Sequence, residues 1–451
     1  MWLLSGKVII ALVWSFWMIS VGSVAEGNPA DQVVIPEPIQ ERPEYFPTYG
    51  ITLARVKERG EVLCGTKEDF PGFSEMIWTD EHGQRWIGFD VEICRAVAAA
   101  VFDDANAIEF IEVDGKTRFT FLIDGTIDIL SAATTYTFSR NVLKKLEFLP
   151  TTFYDGQGFM VRKTLGVSSA KQMEGARICY STTGTAAKNI KDFFKKHFIT
   201  YVPVEVESPE RPKSVYLRGD CDMYGTDRSG LASNRLQFDD PEWHKILPEI
   251  ISKEPLGPVV KYGDQQWSNI VRWTVYVLII AEEYGINSNN IDKFANNIDP
   301  MIKRFMGELN GKDHPHLGSK LGLSATWAYS VIKQVGNYEE IYERNVGEKT
   351  PLALNRGLNK LYTKGGLLYA PPLKEENMWF LKWTFGITVF LLVGYIIFIF
   401  TNSYRLQKKY EKTHFPCTYI VGKMCTVKPT WKKCGGGVPE DYCERKLNGY
   451  L

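Results

Sequence analysis

Two short segments of this chain each carry a charged residue suited to holding one half of a zwitterion. Residues 128–140 end at Arg140, whose planar guanidinium can hold a carboxylate through two parallel hydrogen bonds. Residues 219–227 end at Asp227, a carboxylate that can accept hydrogen bonds from an ammonium group. By charge alone, such residues are more often surface charges or members of structural ion pairs. The surrounding sequence must therefore decide between these interpretations.

The composition describes an ordinary globular chain of more than one domain. At 451 residues, it is too long for one small core, so we expect two or three domains. Its 53 basic residues are matched by 53 acidic residues. Nucleic-acid binders usually carry a basic excess, so we do not expect a nucleic-acid partner.

The N-terminal end has the pattern of a secretory signal. Lys7 precedes the apolar run 8–19, and residues 23–25 supply the small-x-small pattern of a cleavage site. We therefore predict a signal peptide over 1–25, with an uncleaved anchor as the alternative. The proline-rich residues 26–52 are predicted to form an extended leader.

A second apolar run lies near the C-terminus. Residues 383–400 contain no charge over 18 positions, enough to cross a hydrocarbon layer of about 30 Å. We predict a transmembrane helix over 379–400, against the alternative of a buried core helix. By the positive-inside rule, the basic tail 401–451 is predicted to lie in the cytoplasm. Residues 26–378 are then predicted to lie outside. The predicted location is thus a cell membrane, crossed once.

The eight cysteines divide evenly between the two sides of the predicted span. Cys64, Cys94, Cys179 and Cys221 precede it, in an oxidising compartment where disulfides form. The four tail cysteines are eight, nine and nine positions apart, which does not match the short spacing of zinc sites. We therefore predict no metal site.

Apolar periodicity predicts two successive α/β lobes followed by helices. In the first lobe we expect strands at 61–64, 107–113 and 127–131 and helices at 89–102 and 118–124. In the second we expect strands at 176–180, 202–206 and 221–224 and a helix at 185–198. The helices that follow are predicted at 265–284, 291–309 and 327–345.

Several long motifs occur in the order found in a known family. They are the runs 154–163 (YDGQGFMVRK), 247–258 (LPEIISKEPLGP) and 362–372 (YTKGGLLYAPP), with shorter matches at 55–60, 70–73, 88–90 and 333–338. Over residues 50–372, this chain resembles the general L-amino-acid-binding proteins of bacterial ABC transporters, which are family 3 solute-binding proteins. The resemblance does not extend to the apolar run or the tail.

The resemblance implies an α/β fold, a two-lobed periplasmic-binding-protein-like clamp of type II. Its predicted parts are residues 53–156 for the first part of lobe 1, 157–255 for lobe 2, and 256–372 for the return to lobe 1. Such a clamp binds one free L-amino acid without covalent chemistry and passes it to the permease of an ABC transporter. No cofactor and no enzymatic activity are expected.

The resemblance also implies which residues meet the ligand: Phe70, Ala133, Thr135, Arg140, Thr185 and Asp227. Phe70 would supply an aromatic platform, Arg140 the partner of the carboxylate, and Asp227 the partner of the ammonium. Thr135 and its backbone neighbours would also meet these groups, and Thr185 lies at a helix N-terminus that suits a carboxylate. Core packing for Phe70 and ordinary helix capping for Thr185 are the alternatives.

The four outer cysteines match the family, which implies the pairs Cys179–Cys221 and Cys64–Cys94. Three features depart from the family pattern: residues 132–133 are both alanine, Gly184 is shifted by one position, and Lys67 and Glu68 place charges beside the cleft. These departures put the affinity and the side-chain preference in question.

Two functions from different classes remain after this reading. The first is a membrane-tethered extracytoplasmic binding protein that delivers amino acids to an ABC transporter. The second is a single-pass receptor that senses amino acids and signals through a cytoplasmic partner of its tail. A ligand-gated channel would need a pore loop and further spans, and an enzyme would need a nucleophile–base pair, neither of which the sequence shows.

Overall fold

The computed structural model describes residues 50–79, 83–208, 211–307, 317–374, 379–413, 420–421 and 424–425. The predicted signal peptide, almost all of the leader and most of the tail lie outside these residues. The chain forms two compact units, Met1–Pro371 and Pro372–Leu451.

Strands and helices alternate through most of the first unit, as the periodicity predicts. The strands are β1 (Val62–Thr66), β2 (Asp69–Phe70), β3 (Ser74–Thr79), β4 (Gly83–Ile87), β5 (Ile108–Glu112), β6 (Ile129–Leu130), β7 (Leu146–Phe148), β8 (Phe153–Asp155), β9 (Gln157–Arg162), β10 (Arg177–Ser181), β11 (Val202–Val206), β12 (Met223–Asp227), β13 (His244–Ile246), β14 (Glu254–Leu256) and β15 (Val259–Lys261). The helices are α1 (Ile51–Arg59), α2 (Phe89–Phe102), α3 (Arg118–Asp124), α4 (Ala186–His197), α5 (Arg211–Leu217), α6 (Arg228–Leu236), α7 (Gln265–Glu283), α8 (Pro300–Phe305), α9 (Leu317–Leu321), α10 (Trp327–Val335) and α11 (Tyr338–Asn345).

Each lobe is built on its own five-stranded sheet. In the first lobe the strand order is β5-β1-β6-β15-β7, and only the fourth strand, β15, runs antiparallel to the others. In the second lobe the order is β11-β10-β12-β9-β13, and again only the fourth strand, β9, runs antiparallel to the others. A small meander, β2-β3-β4, belongs to the first lobe.

The chain passes between the lobes twice, on a pair of short strands. β8 runs toward the second lobe and β14 runs back, and the two pair antiparallel, with Glu254 opposite Asp155. The side chain of Asn359 accepts a hydrogen bond from the Tyr154 amide at 2.6 Å and donates one to its carbonyl at 3.2 Å. The pairing strands and this clasp connect the lobes through a narrow hinge, which completes a two-lobed clamp.

The core of the first lobe forms where helices pack on the sheet. The helix predicted at 265–284 is α7, and Val271, Val275 and Leu278 there are fully buried. Both disulfides that the resemblance implied are present, Cys64–Cys94 between β1 and α2, and Cys179–Cys221 in the second lobe. Each joins a strand to a neighbouring segment of its own lobe.

Two of the predicted helices are wrong in their extent. In place of a continuous helix from residue 291, the chain makes a 3₁₀ turn at Ile291–Phe294 and starts α8 only at Pro300, where Asp299 caps it. The helix predicted over 327–345 ends at Val335 and begins again at Tyr338. Gly336, between the two helices, adopts a positive φ of 92°. Glycine takes up this conformation readily because it has no Cβ, so the helix ends there.

The C-terminal unit contains the helix α12 (Trp379–Thr413). Within it, Gly386–Leu406 is apolar and long enough to cross a membrane, with a mean hydropathy of 1.9. Its side chains are exposed throughout that stretch. A hairpin of two-residue strands, β16 (Ile420–Val421) and β17 (Met424–Cys425), follows.

Candidate functional site

The sequence-predicted site residues lie on loops and helix starts that follow strands of the two sheets. Ala133, Thr135 and Arg140 follow β6 in the first lobe, whereas Thr185 follows β10 and Asp227 ends β12 in the second. In open α/β sheets, ligands bind beyond the carboxyl ends of the strands. The fold therefore brings these residues to the cleft between the lobes.

A buried carboxyl group shapes the loop that leads to Arg140. Asp90, at the start of α2, accepts hydrogen bonds from the Ser131 hydroxyl at 3.0 Å and from the Ala133 amide at 2.8 Å. Burial raises the pKa of Asp90 to about 6, although these hydrogen bonds and Lys67 act in the opposite direction. Ala133 adopts a φ of 47°, an uncommon conformation for a residue with a Cβ, and the bond to Asp90 holds it there. Because this amide is engaged by Asp90, Ala133 retains only its carbonyl for a ligand.

Arg140 is buried and pre-oriented. It lies in a short π-helix, Ser139–Leu143, and its Nη1 donates to the carbonyl of Thr135 at 2.7 Å. Thr135 itself is buried and forms an isolated antiparallel bridge with Leu256, next to the hinge. Burial lowers the pKa of Arg140, while Glu254 and Asp227 raise it. Arginine keeps its charge despite such shifts, so the site retains a fixed cation.

Asp227 is a half-buried carboxyl group on the opposite side of the cleft. It is the residue before α6, but its side chain makes no capping hydrogen bond. Burial raises its pKa well above the ordinary value, and the neighbouring carboxyl groups of Glu254 and Asp155 raise it further. Lys67 and Arg140 act in the opposite direction. Asp227 and Arg140 therefore lie in each other's field, yet no ion pair between described residues joins them.

Sequence reasoning missed two carboxyl groups of the hinge. Glu254, 1% exposed, accepts hydrogen bonds from Thr185 Oγ1 at 3.1 Å and from Asn189 Nδ2 at 2.8 Å. Asp155 accepts one from the Ser229 amide at 3.1 Å, and burial raises its pKa. Glu254 lies within the run 247–258 that carried the resemblance, so its place in that motif was the available signal.

Thr185 is the residue before α4, as the sequence indicated, but it does not cap the helix with its side chain. Its hydroxyl bonds Glu254 instead. The ordinary capping role is thereby contradicted, and the hydroxyl is tied to the carboxyl group that adjoins Asp227.

Phe70, on β2 of the first lobe, lies close to the start of α6 in the second lobe. Its ring is 8% exposed and stacks on Phe73, with centroids 4.7 Å apart. Lys67 Nζ lies 4.7 Å from the Phe70 centroid, which is cation–π distance. On the side of the second lobe, a Cβ on Gly230 would lie 3.9 Å from Phe70 Cε2, so the ring packs next to the start of α6.

Arg118, a second buried arginine that sequence reasoning passed over, lies beside Arg140. It is 7% exposed, and burial together with the charge of Arg140 lowers its pKa to about 9. Asp227, from the other lobe, raises that pKa, which places Arg118 in the field of the same cleft.

The chemistry of the cleft is that of binding. Among the described residues, no group of three or more His, Cys, Asp or Glu side chains is arranged to hold a metal ion. What the cleft presents is fixed cations from the first lobe, carboxyl groups from the second lobe and the hinge, and an aromatic ring. This arrangement can hold a small zwitterion by charge-assisted hydrogen bonds.

Comparison with known proteins points the same way. The general L-amino acid-binding periplasmic protein AapJ of Rhizobium johnstonii is 48% identical over 323 residues, which cover 72% of this chain and 93% of that protein. The glutamate/glutamine/aspartate/asparagine-binding protein BztA of Rhodobacter capsulatus is 46% identical over 324 residues, with the same shares covered.

A solved structure gives the same result for the fold. An ABC transporter/periplasmic binding protein from Brucella ovis, with glutathione bound, is 42% identical to this chain, with a TM-score of 0.68. The match covers 72% of this chain and 99% of that one. The model of the bacterial extracellular solute-binding proteins, family 3, matches residues 62–348. The predicted family is thus confirmed: this chain belongs to the family 3 bacterial extracellular solute-binding proteins, which are binding proteins and not enzymes.

Proposed function

We propose that this protein binds a free L-amino acid between its lobes and delivers it to an ABC transporter while tethered to the membrane. One observation carries the binding proposal: Arg140 is buried in the first lobe and Asp227 is half-buried in the second, each lies in the other's field, and they form no ion pair with each other. Buried charges are costly without a partner. A zwitterionic ligand supplies both missing partners at once.

In this proposal each predicted residue has a part. Arg140 binds the α-carboxylate, and the Thr135 hydroxyl and Ala133 carbonyl lie beside the α-groups. Asp227 binds the ammonium, with Thr185 held next to it through Glu254. Phe70 covers the ligand from the first lobe.

Closure of the clamp follows from this division of charges. Arg140 belongs to the first lobe and Asp227 to the second, so a ligand that contacts both binds the closed form more tightly than the open form. That difference in affinity shifts the population toward closure.

The tether rests on composition. Gly386–Leu406 has the length and hydropathy of a membrane span, and basic residues dominate the chain just after it. In this topology the clamp is extracytoplasmic and the tail cytoplasmic. Attachment to the membrane raises the local concentration of the clamp at a permease. The receptor alternative has the same topology but requires a cytoplasmic partner for the tail.

Calorimetric titration of the purified full-length protein in detergent with the standard L-amino acids tests the binding proposal. We expect micromolar or tighter binding of at least one amino acid, and a loss of more than about 100-fold in Arg140→Met and in Asp227→Asn, because each removes one charged partner. Lys188→Ala serves as the control. It removes an exposed ion pair of the second lobe, with Asp192, and the variant should bind as the wild type does.

Absence of binding to every amino acid would overturn the proposal. Co-purification then separates the two functions: a permease retained by the full-length protein supports delivery, whereas a cytoplasmic protein lost on deletion of residues 414–451 supports signalling. Protease protection in vesicles checks the topology, since a tail cleaved from the same side as the clamp would contradict a single span.

A further inference from the structure

Two carboxyl groups face each other across the hinge strands. Asp155 on β8 lies directly opposite Glu254 on β14 in the antiparallel pair. Residues opposite each other in such a pair lie on the same face, with Cβ atoms about 5 Å apart, so two negative charges there repel each other. The hinge thus places like charges together at the point where the lobes join.

Asp227 completes a group of three, which we call the hinge carboxyls: Asp155, Glu254 and Asp227. Asp155 is tied to the start of α6 by the hydrogen bond from the Ser229 amide at 3.1 Å, and Asp227 is the residue just before that helix. The charges of the other two carboxyl groups both act on Asp227. The group predicted to meet the ammonium of a ligand therefore has two anionic neighbours of its own.

The hydrogen-bond donors around the hinge carboxyls are neutral. Glu254 accepts from two hydroxyls and a side-chain amide, and Asp155 accepts from two backbone amides. Tyr342 on α11 also faces Asp155 and is an uncharged phenol, because burial raises its pKa. Within the part of the chain that the structure describes, no ion pair includes a hinge carboxyl. Neutral donors stabilise each carboxylate but do not offset the repulsion between them.

The charges that face Asp227 from the first lobe are cations. Lys67, between β1 and β2, and Arg140 in the π-helix lower its pKa, and Arg118 at the start of α3 also lies in its field. Burial and the neighbouring carboxyl groups outweigh these cations, since the pKa of Asp227 is raised well above its ordinary value. Neighbouring carboxyl groups commonly relieve such repulsion by retaining a proton.

We propose that the empty cleft holds a proton on Asp227 and that the ammonium group of the ligand displaces it, so that binding releases a proton. The inference rests on the proposed function, because it takes Asp227 as the partner of the ammonium. The O–H bond of the carboxyl group breaks, its proton passes to solvent, and the carboxylate accepts a hydrogen bond from the ammonium. Glu254 is a positioning residue in this exchange, because its charge holds the proton on Asp227 until a ligand arrives.

This coupling gives binding a pH dependence with a definite sign. Where Asp227 is protonated in the empty protein, the ligand must expel the proton, so the affinity falls as the pH is lowered, by up to about tenfold per pH unit. Where Asp227 is already ionised, no proton is released and the affinity no longer depends on pH.

Calorimetric titration of the full-length protein between about pH 5.5 and about pH 8 tests the inference. The ligand is whichever binds most tightly of L-glutamine, L-leucine, L-glutamate and L-lysine, all of which keep their charges over this range. We expect the wild-type affinity at the lower pH to be at least about threefold below that at the higher pH. Repeating the titration in buffers of different ionisation enthalpy counts the protons, because the heat of binding then changes in proportion to the protons released.

Glu254→Gln tests the positioning role. Glutamine can keep the hydrogen bonds that Glu254 makes but carries no charge, so Asp227 should ionise more readily. Between the same two pH values, this variant should lose less than half as much affinity as the wild type does, on a logarithmic scale. Glu242→Gln, which removes an exposed carboxylate of the second lobe, is the matched control and should follow the wild type.

Asp90→Asn tests whether the proton comes from another carboxyl group. Asp90 lies in the first lobe, and burial raises its pKa to about 6. If Asp227 is the source, Asp90→Asn should still release a proton on binding, whereas Glu254→Gln should release less than the wild type at the lower pH.

Three results would overturn the inference: a wild-type affinity that depends on neither pH nor buffer, an equal pH dependence in Glu254→Gln and the wild type, or loss of proton release in Asp90→Asn. In each of these cases amino acids still bind, so the inference alone fails. If no amino acid binds at any pH, the proposed function fails as well.

Discussion

At the scale of single residues, the cleft contains buried and half-buried charged groups that form no ion pair among the described residues. Asp227 has a pKa raised by burial and by two neighbouring carboxyl groups, and Arg118 has an unpartnered Nε. Groups with strongly shifted pKa values cluster at functional sites. Arg356 and Glu282, by contrast, are buried and bonded to each other, and they stabilise the fold.

Asp90 gives a pH-dependent prediction at this scale. Its folded pKa of about 6 exceeds the ordinary 3.8, so its contribution to stability is fully present below about pH 4 and is lost as the pH rises through about 6. Asp90→Asn should therefore gain in unfolding free energy relative to the wild type between about pH 4 and about pH 8, by on the order of 3 kcal/mol.

Urea unfolding at several pH values measures this difference. Asp239→Asn, at an exposed position, is the matched control and should show little change with pH. A difference between Asp90→Asn and the wild type that stays constant across the range would contradict the assignment of the raised pKa to Asp90.

At the scale of elements, local sequence decides where helices start and stop. The Asn337 side chain accepts a hydrogen bond from the Glu340 backbone amide, and the Glu340 carboxylate accepts one from the Asn337 backbone amide, which forms a capping box. This box starts α11 just after Gly336 ends α10. A helix predicted as continuous is thereby divided into two that can pack at different angles on the lobe.

Asn337→Ala tests the importance of this break. The variant loses the cap and also the hydrogen bond from Asn337 Nδ2 to the carbonyl of Ile286, which is buried. We expect a loss of about 2 kcal/mol in the unfolding free energy, at the upper end of the range for cap removal. Asp299→Ala, which removes a single capping bond from the short α8, should cost less, about 1 kcal/mol. Equal losses in the two variants would show that the buried bond adds nothing.

At the scale of the whole first unit, the lobes contact each other outside the predicted site. Asp69, in β2 of the first lobe, accepts hydrogen bonds from Gln237 and from Lys213, both in the second lobe. We call these three residues the interlobe contact. Because it crosses the cleft without being assigned to the ligand, it can favour the closed form in the absence of ligand.

Gln237→Ala tests the interlobe contact. Removing it should shift the ligand-free population toward the open form, and so weaken amino-acid binding by about twofold to fivefold. X-ray scattering of the ligand-free protein should show a larger radius of gyration than in the wild type. Asp192→Ala, which removes an exposed ion pair within the second lobe, is the control and should change neither quantity. Tighter binding in Gln237→Ala would contradict the proposed role.

The sequence determined the class of the fold, the family and most element positions, because these depend on local periodicity and on the order of the motifs. The predicted bounds of α2, α3 and β11 agree with the structure residue by residue. What it missed depends on contacts between residues far apart in the chain. Arg118 and Glu254 join the cleft only when the start of α3 and the returning hinge strand β14 come near the end of β12 in space. Burial and electrostatic coupling are properties of that meeting, so only the tertiary structure could decide which charges are left for a ligand.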